Sequence, residues 1–389
     1  MYASATTSGL PPPIVIRPGM RVFVFLGHDF GAGWSSGALP GINEQRPYGY
    51  YHATEYGCTI KYSTDAEEAR VMRFLRLSLR RTIGFDLLHA WRNRRDLLDS
   101  DVVWTHTELE HLAALALWRM SRSRRPTLIA QCIWLFDKWH RLSPPKRWLY
   151  KRLLARTDLL TVQSTESLKV AQRVLPSVRS CLNHYGTTVE AMIPAVHRPV
   201  HRPIRILSLG RDMHRDWVTV VTALRGWDAC QARIGAPLID RRLTRNATNI
   251  ELVRPKSADL PGLYQWADLA VVTLKPNLHV SGITVVTEAM LMGLPVICTD
   301  TGGLRSYFSE EEVMYVQPND ADAVRNGIMR LAQDGALRLG LAQNAQKRLT
   351  EADLSTRARA RRMAQISAEL LAAKQDYAFE TKRGMPIDL

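Results

Sequence analysis

Residues 281–304, SGITVVTEAMLMGLPVICTDTGGL, constrain the fold of this chain more than any other stretch. They read as a small-residue turn, a short helix ended by Gly293, a buried strand over 294–299, and a second glycine turn that opens another helix. Ser281 is placed to cap the first helix. Gly282 lets a ligand approach the backbone, so the free N–H groups of the first helical turn face any anion bound there. Gly302 and Gly303 repeat the arrangement after the strand. Between the two cradles stands one carboxylate, Glu288, and a buried carboxylate can accept both hydroxyl hydrogens of a diol. Phosphate, diol and sugar together describe a nucleotide sugar.

The run EAMLMGLPVICTDTGGL resembles the carboxy-terminal signature of GT-B glycosyltransferases, in particular the large retaining group of family four, the glycosyl transferases group 1. The resemblance is specific over 281–304 and compatible along much of the remaining chain. It implies that Glu288 binds the nucleotide ribose and that Ser281, Gly282 and Ile283 contact the diphosphate and donor sugar. The family commonly carries a second Glu where this chain has Val280, and neither His279 nor Val280 replaces a carboxylate like for like.

A chain of 389 residues, 46% of them hydrophobic, is too long for one ordinary core and suggests two domains of comparable size. It holds no apolar run long enough to span a bilayer. Residues 1–20 contain Pro11-Pro12-Pro13 and lack a continuous apolar segment, so a signal peptide is not expected. Five scattered cysteines without a CxxC pair read as reduced core thiols of a cytoplasmic protein. The net charge of +15 sits mainly in the first half: eight Arg against Asp86 over 70–95, and nine Lys or Arg against Asp137 over 122–152. Nucleic acid, anionic lipid and nucleotide can all attract such a surface, but RNP, zinc-finger and helix-turn-helix spacings are missing, which makes nucleic acid the poorest choice.

In chain order, the apolar run 20–26 suits a buried parallel strand and leads into the glycine-rich segment 27–37. That pairing resembles the opening of a Rossmann-like half without matching GxGxxG. By the family resemblance this loop lines the acceptor side of a cleft, which makes His28, Asp29 and Gly31 acceptor-side candidates, with a plain turn as the other reading. The tyrosines of PYGYY, 47–51, either stack on an acceptor sugar or pack the domain. Residues 66–98 look helical. There Arg70, Arg73, Arg76 and Arg80 gather on one arc and Val71, Met72, Phe74, Leu75 and Leu79 on the other, a pattern for an anionic membrane interface or for a surface helix with solvated arginines.

Strand 101–108 ends in polar residues, and ligands of open parallel sheets bind beyond such ends. By the resemblance, its His106 is the residue delivered toward the donor sugar. Strand 127–134 delivers Asp137, an acceptor-side base or an ion-pair partner. A fourth strand, 158–164, and a short one within 180–188 follow. The segment PAVHRPVHRP, 194–203, disfavours helix and central strand and marks the domain boundary.

The second half opens with strand 204–209 and Gly210. The resemblance gives Arg211 and Arg215 the task of neutralising the diphosphate, and guanidinium forks match phosphate oxygens. Strand 249–253, helix 260–266 and strand 267–272 lead to the loop KPNLH, from which Lys275 and His279 can reach the donor. A strand-containing turn over 307–318, a helix over 320–332 and a long charged helical region, 337–371, complete the pattern.

The expected architecture is GT-B: two Rossmann-like α/β domains facing across a cleft, residues 1–195 binding acceptor and 196–370 binding nucleotide sugar, with 371–389 returning to the first domain. The expected activity is retaining hexosyl transfer from a UDP- or GDP-sugar to a saccharide or lipid-linked acceptor, in polysaccharide or glycolipid biosynthesis, in the cytoplasm and peripherally on the inner face of the membrane. His106, Arg211 and Arg215 would be catalytic. No DxD motif stands directly before the donor site, so neither a metal nor a cofactor is expected. The alternatives are a nucleotide-sugar epimerase or phosphorylase of the same fold, and a basic RNA- or membrane-binding protein with a decayed transferase fold.

Overall fold

A computed structural model describes residues 19–28, 47–120 and 125–383. Its twelve strands form two six-stranded, wholly parallel sheets. The first contains β1 (Met20–Phe25), β2 (Cys58–Tyr62), β3 (Val102–Thr105), β4 (Thr127–Cys132), β5 (Leu159–Val162) and β6 (Ser180–Leu182), in the order β2-β1-β3-β4-β5-β6. The second contains β7 (Ile204–Leu209), β8 (Cys230–Gly235), β9 (Ile250–Leu252), β10 (Leu269–Val272), β11 (Val296–Thr299) and β12 (Met314–Val316), in the order β12-β11-β10-β7-β8-β9. Together with their helices they make the expected GT-B fold.

The first-domain helices are α1 (Arg70–Ile83), α2 (Leu87–Arg92), α3 (Arg94–Asp99), α4 (Glu108–Met120), α5 (Leu135–Lys138), α6 (Pro144–Leu154) and α7 (Thr165–Val174). Those of the second are α8 (Trp217–Leu224), α9 (Leu260–Trp266), α10 (Ile283–Leu291), α11 (Ala321–Gln333) and α12 (Gly335–Glu351), and α13 (Thr356–Arg383) crosses back. Covering helices explain the near-continuous apolar strands: every residue of β3, β4, β5, β10 and β11 is buried, as a parallel sheet packed on both faces requires. Each sheet separates two apolar clusters, one on each face.

Three differences from the sequence reading have local causes. Strand β8 has no apolar run: Cys230, Ala232 and Ile234 are buried, whereas Gln231 faces solvent and Arg233 pairs with Glu251 of β9 at 2.9 Å. The helical stretch 66–98 is three helices, because Gly84 takes φ 91 and closes α1. The long region 337–371 is two helices, broken where Asp353 adopts φ 51. The return to the first domain therefore begins near Ser355, which bridges to Thr187, rather than at 371. Helix α13 then buries Ala360, Met363, Ala364 and Leu370 beside β1 and β3, and Trp104 Nε1 donates to Ser367 Oγ at 2.9 Å.

Strand order also locates the sites. In the first sheet the chain runs outward from β1 to β2 and then restarts on the other side at β3, and in the second it runs from β7 to β9 and restarts at β10. Crevices at the carboxyl ends of such divided strand pairs are where open α/β sheets bind ligands. Here those ends carry Gly27, His28 and His106 in one domain, and Gly210–Arg215 and Leu274–Gly282 in the other.

Candidate functional site

On the second-domain side, the loop after β7 is laced to the segment after β10. Lys275 N–H donates to the His214 carbonyl at 2.7 Å, and Asp216 N–H to the Thr273 carbonyl at 3.0 Å. Asp216 then caps α8 by accepting from Thr219 N–H and Oγ1. This lacing turns Arg215 inward. Arg215 is 5% exposed, and both Nε and Nη1 are buried without a hydrogen-bond partner among the described residues. It lies over two glycines: a Cβ on Gly210 would collide with Arg215 Nε, and one on Gly282 would come to 2.9 Å from Nη1. Burial lowers the guanidinium pKa, partly offset by Cys298, Asp212 and Tyr264. A cation held this way is preorganised for an anion beside the start of α10.

Helix α10 begins differently from the expectation. Gly282, with φ 85, is its N-cap, and no side chain caps it. Ser281 instead donates from Oγ to Asp212 Oδ2 at 3.0 Å. Ile283 and Glu288 are buried in the helix, and Glu288 accepts from the Tyr264 hydroxyl at 2.8 Å. Arg211 and Lys275 are exposed on the two loops.

His279 joins the domains. Its Nδ1 lies 2.9 Å from Asp137 Oδ2 and its Nε2 lies 3.0 Å from Asp212 Oδ2. Leu278 N–H also donates to Asp137 Oδ1 at 2.6 Å. Burial opposes the imidazolium, but hydrogen bonds and charge from Asp137 and Asp212 outweigh it and raise the His279 pKa to about 9. Both carboxylates are held below their usual range despite burial, through hydrogen bonds to the same ring. Asp137 is thus an ion-pair partner across the cleft. Asp212, His214 and His279 also present atoms within 4.8 Å of one another that could hold a divalent cation. Such an ion would have to displace the proton that His279 shares with Asp212.

The second glycine turn is filled by protein rather than open as a cradle. Gly303 N–H donates to the His279 carbonyl at 3.0 Å. A Cβ on Gly302 would collide with Asn277, and one on Gly303 with Ser164 of the first domain. Ser164 Oγ in turn donates to the Leu278 carbonyl at 2.6 Å, and Tyr307 Oη to the Gln163 carbonyl at 2.8 Å. Gly303 thus lets the Ser164 side chain of the first domain come against the backbone of the second, and Gly302 lets Asn277 and the His279 carbonyl of its own domain pack close.

The first-domain crevice is a pocket of about 210 Å³ lined by His28, Tyr48, Arg80, His106, Glu110 and Trp134 among others. His106 is 6% exposed, stacks on Tyr48 with ring centroids 3.6 Å apart, and has Nδ1 3.0 Å from the Tyr50 hydroxyl. Burial, and secondarily Arg359, hold its pKa well below 6.5, so the ring is neutral. His28 borders His89 edge to face. Asp29 and Gly31 lie outside the described residues.

Three contributors escaped the sequence reading. Glu110 accepts from Thr107 N–H and Oγ1, both at 2.6 Å, a capping box for α4 visible in the Thr-x-x-Glu spacing. Burial raises its pKa to about 7. Asp212 stands between Arg211 and Arg215 with no local pattern to mark it. Arg359, 2% exposed, donates to Tyr50 Oη and Gln131 Oε1 beneath the pocket, and nothing in its Arg-rich segment distinguishes it.

Comparison with known proteins gives the same fold. Residues 239–348 match the family Glycosyl transferases group 1. A stretch of 64 residues is 39% identical to the "Putative teichuronic acid biosynthesis glycosyltransferase TuaC" of Bacillus subtilis (strain 168), covering 16% of each chain. Among solved structures, the sucrose-phosphate synthase of Thermosynechococcus elongatus is similar with a TM-score of 0.71 at 18% identity, over 91% of this chain and 100% of that one. HepE of Anabaena, in complex with UDP-glucose, is similar with a TM-score of 0.61 at 15% identity, over 90% of this chain and 99% of that one.

Proposed function

We propose that this GT-B chain, whose second domain matches the group 1 glycosyl transferases, is a retaining glycosyltransferase that moves a hexosyl group from a UDP- or GDP-sugar to a saccharide or lipid-linked acceptor. The observation that carries the reading is Arg215. A buried guanidinium with two unpaired nitrogens, set against Gly210 and Gly282 at the uncapped start of α10, has the partner it lacks in a diphosphate. Solved relatives of the same fold contain UDP or UDP-glucose, which supports that donor class.

In this reading the diphosphate lies over Gly282, with Arg215 inside and the exposed Arg211 outside. Two cations there stabilise negative charge as the glycosyl bond breaks, which is where electrostatic catalysis acts. Glu288, held by Tyr264, orients the ribose. The acceptor occupies the Tyr48–His106 pocket, and the leaving phosphate takes the acceptor proton. Arg215 and Arg211 supply the charge that a metal would otherwise supply, so chelators leave donor binding unchanged. We place the enzyme in polysaccharide or glycolipid synthesis on the cytoplasmic side of a membrane. Among the described residues no helix is long and apolar enough to cross one.

The test is a thermal-shift screen against UDP-, GDP- and ADP-sugars followed by turnover assays, since a ligand selective for the folded state raises its melting temperature. A shift with UDP- or GDP-sugar and acceptor-dependent release of nucleotide supports the reading. Conversion of the sugar without acceptor identifies an epimerase, and pyridoxal absorbance a phosphorylase. Absence of any nucleotide-sugar binding contradicts the transferase and the epimerase.

A further inference from the structure

Helix α1 is packed in reverse. Its buried residue is Arg76, whereas Val71 and Phe74 are each 70% exposed, Leu75 52% and Leu79 41%. The cause is an ion-pair cluster beneath it. Arg76 Nε lies 2.9 Å from Glu68 and its Nη1 2.7 Å from Asp86, and Arg92 also pairs with Glu68. These pairs fasten the helix by its polar side. At 100° per residue, Val71, Phe74, Leu75 and Leu79 share the outward arc and its one flank, while Arg70, Arg73, Arg80 and Arg81 occupy the other.

We propose that α1 is a membrane-docking helix that lays this apolar stripe into the interface of an anionic bilayer, with its arginines against the headgroups. Charge decides the occupant. The helix carries no acidic residue, and Asp86, the sole acid between 70 and 95, is committed to Arg76. The remaining cations are therefore not neutralised by acids of their own segment, and an apolar stripe beside a row of arginines complements a negatively charged layer over hydrocarbon. Neighbouring α2 adds Trp91, 51% exposed, with Arg94 at 4.1 Å over its ring. Arg80, on the cationic flank, also lines the His106 pocket. If the acceptor reading above holds, a lipid-linked acceptor reaches that pocket from the docked surface; the docking itself does not depend on it.

The experiment is co-sedimentation of the full chain with vesicles of phosphatidylglycerol and phosphatidylcholine in equal parts, and with phosphatidylcholine alone. The wild type binds the first and not the second, and about 0.5 M salt weakens the binding. Phe74→Ser combined with Leu75→Ser, and separately Arg73→Gln combined with Arg81→Gln, lower partitioning about tenfold or more. Both variants keep the wild-type melting temperature and nucleotide-sugar shift, because these side chains face solvent. Hydrogen exchange of the wild type on vesicles slows over 70–83, a readout independent of any variant. Wild type left in the supernatant, or variants that sediment like it, overturns the proposal. So does a dimer abolished by the Phe74 and Leu75 changes without vesicle binding, since a second copy of the chain would then cover the face.

Discussion

Asp137 of the first domain and His279 of the second meet at 2.9 Å across the cleft, and Asp212 closes on the far side of the same imidazole at 3.0 Å. One proton-bearing ring between two carboxylates therefore ties the loop after β10 to the first domain. Its pKa of about 9 exceeds the ordinary value of 6.5, so its stabilising contribution is complete below the lower value and is lost as pH rises through the higher. The melting temperature of the wild type should fall between pH 7 and pH 10 more steeply than that of His279→Gln. The pH-dependent difference is on the order of 3 kcal/mol at most, shared among three coupled groups. Parallel curves would remove His279 from this role.

The seam at Gly303 is tight enough to test by one methyl group. Gly303→Ala places a Cβ against Ser164 and 2.8 Å from Val280 Cγ2. We expect a loss of about 1–3 kcal/mol in chemical denaturation, from overpacking at the domain contact. Small-angle scattering should show a larger radius of gyration if the seam opens. Unchanged stability and unchanged scattering would mean that Ser164 is not held this closely against Gly303.

His106 is predicted to stay neutral through the physiological range, because burial and Arg359 both disfavour its charge. Nuclear magnetic resonance titration should show no protonation of this ring down to pH 5. His106→Gln should lower acceptor-dependent turnover while leaving the nucleotide-sugar thermal shift in place, since the ring lies in the first-domain pocket. A lost donor shift would instead place His106 at the donor.

Much of this architecture was legible because parallel strands buried on both faces are apolar along their length. The runs that became β1, β3, β4, β5, β7, β10 and β11 announce themselves, and β8, with Gln231 and Arg233 turned outward, does not. Helix α10 was equally legible from Gly282, Glu288 and Gly293. What local pattern could not supply was pairing over distance. Gly302 and Gly303 look like a phosphate turn until Ser164 is seen against them. Asp137 stays divided between acceptor-side base and ion-pair partner until His279 arrives from the other domain, and Arg359 reads as one more surface arginine until Tyr50 and Gln131 close around it. The amphipathic division of α1 was visible, but only Glu68 and Asp86 reveal that Arg76 is the residue it buries.

The central claim is that Arg215 is an unpaired buried cation waiting for a diphosphate, and Arg215→Met tests it most directly. Removing a buried charge that lacks a partner should leave the unliganded melting temperature at or above that of the wild type. The same change should weaken UDP- or GDP-sugar binding by about a hundredfold, so that the thermal shift seen with the wild type disappears. A variant that is folded, equally stable and shifted by the nucleotide sugar as fully as the wild type would contradict the account.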